Sequence, residues 1–263
     1  MRGLKLSTVV REYFADRQER FQNVGGDSGI CEAVSIMLKA LIFDFDGLIL
    51  DTETPEVSVW QSIYREYGFE LPVEEWEKTI GGYGLSNFDA AEHLEFLSQG
   101  RLDAVSMRVR HRKESEKIVH ASSVLPGVMD MITQAKKNDL QVAIGSSATH
   151  SWVDEHVKRL GIFEYFDWII CQDDVLAGRT KPNPDIFLKV LELLKVNSDA
   201  AVVFEDSLNG VTAARRAGIF VVAVPNPMTA KMGVSGDITV PSLAELSLYK
   251  LSKYMNKAGG FSA

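Results

Sequence analysis

The chain has 263 residues, 46% of them hydrophobic and 24% charged, which is typical of a globular protein with one large or two unequal domains. Its formal net charge of −8 argues against nucleic acid or an anionic membrane surface as a partner, because both require a basic protein surface. No apolar run approaches the ~20 residues that span a bilayer, and no secretory signal pattern is present, so we predict a cytoplasmic protein. A monomer is the simplest expectation. The two cysteines, Cys31 and Cys171, do not make a disulfide framework.

Residues 1–36 differ in pattern from the rest of the chain. A helix is predicted from Leu6 to Phe21, but charged residues are mixed through it, and the glycine-rich segment 25–29 interrupts the pattern. Met37 stands directly before the first strand-like run. We therefore expect residues 1–36 to be an N-terminal extension that is disordered or not native, and we hypothesise that translation starts at Met37.

The first strand-like run, residues 41–43, leads directly into Asp44-Phe45-Asp46-Gly47. On an extended backbone alternate side chains share a face, so Asp44 and Asp46 can approach one substrate. Such a pair suits phosphoryl transfer, with Asp44 attacking phosphorus and Asp46 moving protons. The alternatives are an acidic turn without catalysis and a calcium loop. The calcium loop fits poorly, because Gly47 comes before the third oxygen ligand that an EF-hand requires.

The segment 53–121 contains no strand pattern and predicts a helical insert. Apolar residues recur at helical spacing after Pro55, at Val57, Trp60, Ile63, Tyr64 and Tyr67, and again at Phe88, Ala91, Leu94 and Leu97. We expect the aromatic residues to form the core of the insert. Because the insert follows the first strand, it is predicted to cover the carboxyl ends of the strands as a cap domain.

The remainder of the chain alternates strand-like and helical patterns. Strands are predicted at residues 141–144, 168–171, 201–204 and 220–224, with helical patterns between them. This order predicts an α/β fold, a Rossmann-like parallel sheet covered by helices, in which residues 37–52 and 122–263 form the core.

Three later segments place polar residues at or near strand ends. Ser146 and Ser147 follow the strand 141–144 and precede a helix, where hydroxyl and backbone N–H groups can hold a phosphate. Lys181 lies in a proline-restricted loop before another helix. Glu205 and Asp206 follow the strand 201–204 and form a second acidic pair.

Together these motifs resemble those of the haloacid dehalogenase-like superfamily, and particularly its branch that looks like β-phosphoglucomutase. The four motifs occur in the family's order, with Asp51 after the first, and the similarity extends from about Met37 to Leu246. The resemblance implies that Asp44 is the nucleophile, that Asp46 is the general acid and base, and that Mg²⁺ is the cofactor. It further implies roles for the remaining residues: metal binding by Asp44, by the backbone carbonyl of Asp46 and by Asp206, phosphate binding by Ser146, Ser147 and Lys181, and support by Glu205.

The resemblance also separates reactions within the superfamily. Asp46 argues against dehalogenation, which needs no proton donor two residues after the nucleophile. Phosphonoacetaldehyde hydrolysis needs a cap lysine, and no lysine occurs between Asp51 and Lys78. Mutases of this branch carry a cap histidine that restrains the residue matching Asp46, and the corresponding place here is Glu56. We therefore predict a phosphatase acting on a small phosphate ester, a sugar phosphate or similar, with a phosphomutase as the alternative and a non-catalytic phosphate-binding module as a third.

Other residues support smaller predictions. His150 follows the Ser146 turn and could face substrate, but a surface or cap contact is the favoured interpretation. Gly81, Gly82 and Gly84 are interpreted either as a substrate-facing cap loop or as a simple turn. A basic stretch near the end of the insert is expected to be a solvated face, although one of its members could reach a substrate anion: Arg108, Arg110, Arg112 and Lys113.

Overall fold

The computed structural model describes residues 38–77, 79 and 87–258. Within them lie six strands: β1 Ala40–Phe43, β2 Gln141–Gly145, β3 Trp168–Ile170, β4 Ala201–Glu205, β5 Phe220–Ala223 and β6 Ile238–Thr239. The α-helices in the described residues are α1 Glu53–Glu66, α2 Val73–Glu77, α3 Ala90–Leu97, α4 Ala104–Ala121, α5 Val128–Lys137, α6 His150–Arg159, α7 Asp185–Leu194, α8 Leu208–Arg216 and α9 Leu248–Ala258.

The strands form one parallel sheet in the order β3-β2-β1-β4-β5-β6. The register pairs Phe43 of β1 with Ile144 of β2 and with Phe204 of β4. The carboxyl ends of these three strands therefore meet at one edge of the sheet. The predicted α/β class with a parallel sheet is confirmed.

Both faces of the sheet are buried by helices, as the continuous apolar runs predicted. Leu41 and Phe43 of β1 pack on one side with residues of α5, α6 and α9, whereas Ala40 and Ile42 pack on the other side with residues of α7 and α8. Alternate residues of one strand thus serve two separate cores. This double burial fixes the strand ends in place.

Helices α1 to α4 lie between β1 and β2 in the sequence and share a third apolar cluster. Two of the predicted aromatic residues, Trp60 and Tyr64, are buried in this cluster beside Ile63, while Tyr67 is partly exposed. Met228, in the loop after β5, packs with the same cluster. The boundaries of a cap domain and its role as a lid stay predictions.

Several element boundaries differ from the sequence-based prediction. Strand β4 continues through Glu205, which pairs with Ala223, so this glutamate ends the strand instead of following it. The prediction missed β6, a strand of two residues, and α9, whose apolar positions Leu248, Leu251 and Met255 are buried. No helix among the described residues is long and apolar enough to cross a membrane. The proposed extension and Met37 lie outside the described residues.

Candidate active site at the carboxyl edge of the sheet

The ends of β1, β2 and β4 surround a cleft of about 470 Å³. Six of the seven site residues singled out from the sequence line it directly: Asp44, Asp46, Ser146, Ser147, Lys181 and Asp206. The seventh, Glu205, lies behind the cleft and contacts Lys181. The structure thus brings together residues that are separated by more than 100 positions in the sequence.

Lys181 forms the electrostatic centre of this site. Its Nζ donates to Asp44 Oδ1 at 2.5 Å and to Glu205 Oε1 at 2.6 Å, and all three side chains are at least nine-tenths buried. Burial opposes the charged ammonium, but the carboxylates of Asp44 and Glu205 outweigh burial and raise the pKa of Lys181. Lys181 is therefore a permanent cation beside Asp44.

Glu205 is held from both sides. While Oε1 accepts from Lys181, Oε2 accepts from the backbone N–H and the hydroxyl of Ser207, at 3.3 and 3.1 Å. A Cβ at Gly210, in the first turn of α8, would overlap the Glu205 carboxyl group, so this position requires glycine. With both oxygens engaged, Glu205 is suited to orienting Lys181.

Asp206 is oriented by Asn226, which the sequence analysis did not identify. Asn226 Nδ2 donates to Asp206 Oδ2 at 2.7 Å, and Asn226 Oδ1 accepts from the backbone N–H groups of Met228 and Thr229. Gly47 lies on the other side of Asp206 with φ of 75°, and a side chain there would overlap the Asp206 carboxylate. Asp206 is thereby fixed against the turn that follows Asp46.

The donor set at the strand ends fits a divalent cation. Carboxylate oxygens of Asp44, Glu205 and Asp206 all lie within 4.8 Å of one another. Burial, followed by the charges of Asp44 and Glu205, raises the pKa of Asp206 well above its ordinary value. Lys181 alone does not balance these buried acids, and Mg²⁺ prefers such oxygen ligands. Because both Glu205 oxygens are engaged, Asp44 and Asp206 are the side chains best placed to hold the ion.

Asp46 is placed differently from Asp44. Its Oδ1 accepts a hydrogen bond from the indole Nε1 of Trp152, at 2.8 Å. Burial and the neighbouring Asp44 raise the pKa of Asp46 to about 6, although the bond from Trp152 acts in the opposite direction. A carboxyl group with a pKa near neutrality can both donate and accept a proton. Trp152 is a second site residue that the sequence analysis missed.

The turn after β2 carries the two serines. Ser146 is 1% exposed, its N–H donates to the carbonyl of Ile170, and its hydroxyl accepts from the N–H of Ala148 at 3.0 Å. Ser147 is exposed to the cleft. The turn leads into α6, which Thr149 caps through the N–H of Trp152. Ser146, Ser147 and Ala148 therefore line one side of the cleft, directly before the start of a helix.

Helices α1 and α4 contribute an acidic wall to the same cleft. Glu53, Glu56 and Glu116 line it, and only Glu56 was singled out from the sequence. Burial, followed by the charges of Asp46 and Glu56, raises the pKa of Glu53 to about 7. His111 Nε2 donates to the backbone carbonyl of Glu56 at 2.8 Å and holds α1 against α4. Within the described part of the chain, Lys181 is the one cation that lines the cleft.

His150 and the arginines of the basic stretch lie outside the cleft. His150 contacts Asp154 and Asp174 at 3.2 and 2.7 Å and does not line the cleft, in agreement with a surface role. The arginines of the basic stretch pair with acidic residues of the helical insert: Arg108 with Asp89 and Glu92, Arg110 with Glu66 and Glu114, and Arg112 with Glu116. Gly81, Gly82 and Gly84 lie outside the described residues.

Comparisons with known proteins agree with this geometry. The model of the haloacid dehalogenase-like hydrolases matches residues 41–224. A Bacillus subtilis (strain 168) protein named as a phosphatase, YhcW, is 38% identical over 221 residues, covering 84% of this chain and 99% of its own. The phosphorylated carbohydrates phosphatase of Thermotoga maritima is 32% identical over 187 residues, covering 69% of this chain and 82% of its own. A crystal structure of β-phosphoglucomutase from Clostridium difficile has the same fold, with a TM-score of 0.61 at 23% identity over 84% of this chain and 99% of that one.

Proposed function

The chain belongs to the haloacid dehalogenase-like hydrolases, and we propose that it is a Mg²⁺-dependent phosphatase that acts through an aspartyl-phosphate intermediate. The observation that carries this proposal is the placement of two carboxylates with different environments at one strand end. Asp44 contacts a buried lysine, whereas Asp46 contacts an indole N–H and has a pKa near neutrality. Such a pair supports a nucleophile beside a proton carrier.

The proposed first step is attack of an Asp44 carboxylate oxygen on the phosphorus of a bound ester. The bond from phosphorus to the ester oxygen breaks, and Asp46 gives its proton to the departing oxygen. In the second step Asp46 takes a proton from water, whose oxygen attacks the phosphorus of the aspartyl phosphate. The bond between phosphorus and the Asp44 oxygen breaks, inorganic phosphate leaves, Asp44 is again a carboxylate and Asp46 is again protonated.

An anionic nucleophile can approach an anionic phosphate only if cations offset the repulsion. At an effective dielectric constant near 20, two unit charges ~4 Å apart interact by about 4 kcal/mol. Lys181 supplies one cation at Asp44. Mg²⁺, when bound by Asp44 and Asp206, would supply the second and polarise the phosphoryl group. Ser146 and Ser147 line the same cleft and would hold the phosphoryl oxygens.

The charge distribution favours a phosphatase over a mutase. A mutase that works through a bisphosphate must hold a second phosphate while the intermediate reorients. On the side of the helical insert, the cleft instead presents Glu53, Glu56 and Glu116, of which Glu116 pairs with Arg112, and Arg108 and Arg110 pair with other acidic residues. A second phosphate would therefore meet like charges within the described part of the cleft. A mutase remains the second candidate because this chain shares its fold with β-phosphoglucomutase.

The same wall points to the substrate class. Glutamates accept hydrogen bonds from hydroxyl groups, so a polyhydroxy leaving group without a second anion suits this surface. The name of the Thermotoga maritima relative, a phosphorylated carbohydrates phosphatase, supports the same class. We therefore infer that the substrate is a carbohydrate monophosphate.

A Mg²⁺-dependent screen of small phosphate esters tests the proposal. Release of inorganic phosphate from carbohydrate monophosphates is expected with Mg²⁺ and not with EDTA. Formation of an isomer from β-glucose 1-phosphate with a bisphosphate primer, without net phosphate release, would favour the mutase. Binding of phosphate esters without either product would favour a non-catalytic module.

A further inference from the structure

We propose that Trp152 is a positioning residue that holds the carboxyl group of Asp46 in its productive orientation. This inference rests on the proposed function, in which Asp46 carries protons. The indole Nε1 lies 2.8 Å from Asp46 Oδ1 and reaches it from a core helix, across 106 residues of sequence. Both side chains line the cleft, so the bond forms where the ester would bind.

The hydrogen bond determines which oxygen of Asp46 carries the acidic proton. An indole N–H is a donor only, so Oδ1 must act as its acceptor. In the neutral carboxyl group the proton then resides on Oδ2. Trp152 thereby assigns one oxygen to orientation and leaves the other for proton transfer to the ester oxygen.

Trp152 itself is held in place by the ring of His156, one helical turn further along α6. The two rings meet edge to face, with centroids 4.2 Å apart and an angle of 76°. His156 is fully buried. Its Nδ1 accepts a hydrogen bond from Arg159 Nε at 3.2 Å, which places the ring proton of neutral His156 on Nε2.

Arg159 ties this row of side chains to the end of α4. Its guanidinium donates to the carbonyl oxygens of Ser122 and Val119, at 3.0 and 3.3 Å. These carbonyls belong to the segment where the chain returns from the helical insert to the sheet. Arg159, His156 and Trp152 therefore connect that segment to Asp46 through direct contacts.

A variant that lacks the indole N–H but keeps an aromatic ring distinguishes the hydrogen bond to Asp46 from the packing of Trp152 against His156. Trp152→Phe keeps an aromatic ring against His156 but removes the indole N–H that donates to Asp46. A general acid matters most when the departing oxygen is a poor leaving group, as in an alkyl phosphate, and least for p-nitrophenyl phosphate, whose phenolate departs readily. Misplacement of Asp46 should therefore affect the two esters unequally.

The experiment compares kcat/KM of wild type and Trp152→Phe on glucose 6-phosphate and on p-nitrophenyl phosphate, with Mg²⁺. We expect Trp152→Phe to lower kcat/KM for the sugar phosphate about ten- to hundredfold, mainly through kcat. The fold-loss for the aryl phosphate should be smaller by a factor of at least about five. Trp168→Phe, at an exposed tryptophan of β3, is the matched control and should change neither value.

A second measurement reports the contact directly. The indole ¹H–¹⁵N resonance that disappears in Trp152→Phe belongs to Trp152, and it should shift in Asp46→Asn while the resonance of Trp168 stays in place. Equal losses on the two esters, or an unmoved Trp152 resonance, would overturn the role of Trp152 alone. A wild-type protein that released phosphate from neither ester would instead overturn the proposed function and with it the role of Asp46.

Discussion

Lys181 donates a hydrogen bond to Asp44 at 2.5 Å although 137 residues separate them in the sequence. Both side chains are at least nine-tenths buried, and Glu205 contacts the same ammonium group from behind. Removal of the cation would leave two buried carboxylates uncompensated, whereas removal of one carboxylate leaves the lysine paired with the other. The pair therefore links folding stability to catalysis.

Replacement of Lys181 by methionine should lower both activity and stability. Lys181→Met leaves Asp44 and Glu205 buried without their cation, and we expect the free energy of unfolding to fall by about 3 kcal/mol in EDTA. Urea unfolding at neutral pH measures this change. Phosphate release should fall at least about a hundredfold, because the nucleophile and the phosphate lose a shared cation.

Lys136→Met is the matched control for that variant. Lys136 also contacts a carboxylate, that of Asp167, but both side chains of this pair are partly exposed. Pairs of this kind contribute about 1 kcal/mol or less, and activity should be unaffected. Equal destabilisation by the two substitutions would contradict the special role of Lys181.

Mg²⁺ should stabilise the protein as well as activate it. A ligand that binds only the folded state stabilises by about 2.7 kcal/mol at a concentration 100 times its Kd. We expect Tm to rise with added Mg²⁺ and to return to its starting value with EDTA. Asp206→Asn should remove most of this rise, whereas Asp174→Asn, outside the cleft, should preserve it. A metal-independent Tm in the wild type would rule out the proposed metal site.

The acidic wall should discriminate against a second phosphate. We expect kcat/KM for glucose 1,6-bisphosphate to be at least about tenfold below that for glucose 6-phosphate, since each nearby glutamate contributes roughly 1 kcal/mol of repulsion. The double variant Glu56→Gln with Glu116→Gln should bring the kcat/KM values for the two sugar phosphates closer together. Glu92→Gln, which removes a partner of Arg108 outside the cleft, should leave the ratio of these kcat/KM values unchanged. A wild-type preference for the bisphosphate would show that the wall is misassigned.

His156 should make stability depend on pH in the acidic range. Burial, followed by the charges of Arg159 and His120, lowers the pKa of His156 from 6.5 to about 4. Between these values the unfolded state binds more protons than the folded state. The stabilisation is therefore fully present above pH 6.5 and is lost as the pH falls toward 4, by an amount on the order of 2 kcal/mol.

His156→Gln tests this pH dependence, because a glutamine oxygen can still accept from Arg159. The difference in free energy of unfolding between wild type and variant should shrink as the pH falls through that range. For His150, burial disfavours the charged ring, but Asp154 and Asp174 outweigh burial and raise its pKa. His150→Gln should therefore give a difference of the opposite slope. If the difference in free energy of unfolding between wild type and His156→Gln did not change with pH, the buried ring of His156 would not be neutral in the folded state.

The sheet and the polar residues at its edge could be predicted because each is encoded locally. The runs 41–43 and 201–204 are apolar at every position and end in acids, which is the pattern of a strand buried on both faces. Once the parallel order was inferred, Asp44, Ser146 and Asp206 had to meet at one edge. Family resemblance added Lys181, which lies in a loop and carries no periodic signal.

The contacts to Asp46 and Asp206 could not be predicted in the same way. Trp152 and Asn226 contact these acids only in the folded structure, and no neighbouring motif in the sequence marks either residue as part of a polar site. Thr149 before α6 was a signal of a helix start, and it places Trp152 in the first turn beside the serine turn. Strand β6 was missed because two residues cannot establish a period.

In the proposed mechanism, Asp44 becomes transiently esterified to phosphate. The most direct measurement is acid quenching of the enzyme during turnover with Mg²⁺ and a carbohydrate monophosphate, followed by peptide mass spectrometry. We expect a phosphoryl group on Asp44 in the wild type and none in Asp44→Asn, which should fold normally and release no phosphate. Phosphate carried by another residue, or hydrolysis by Asp44→Asn at the wild-type rate, would contradict this mechanism.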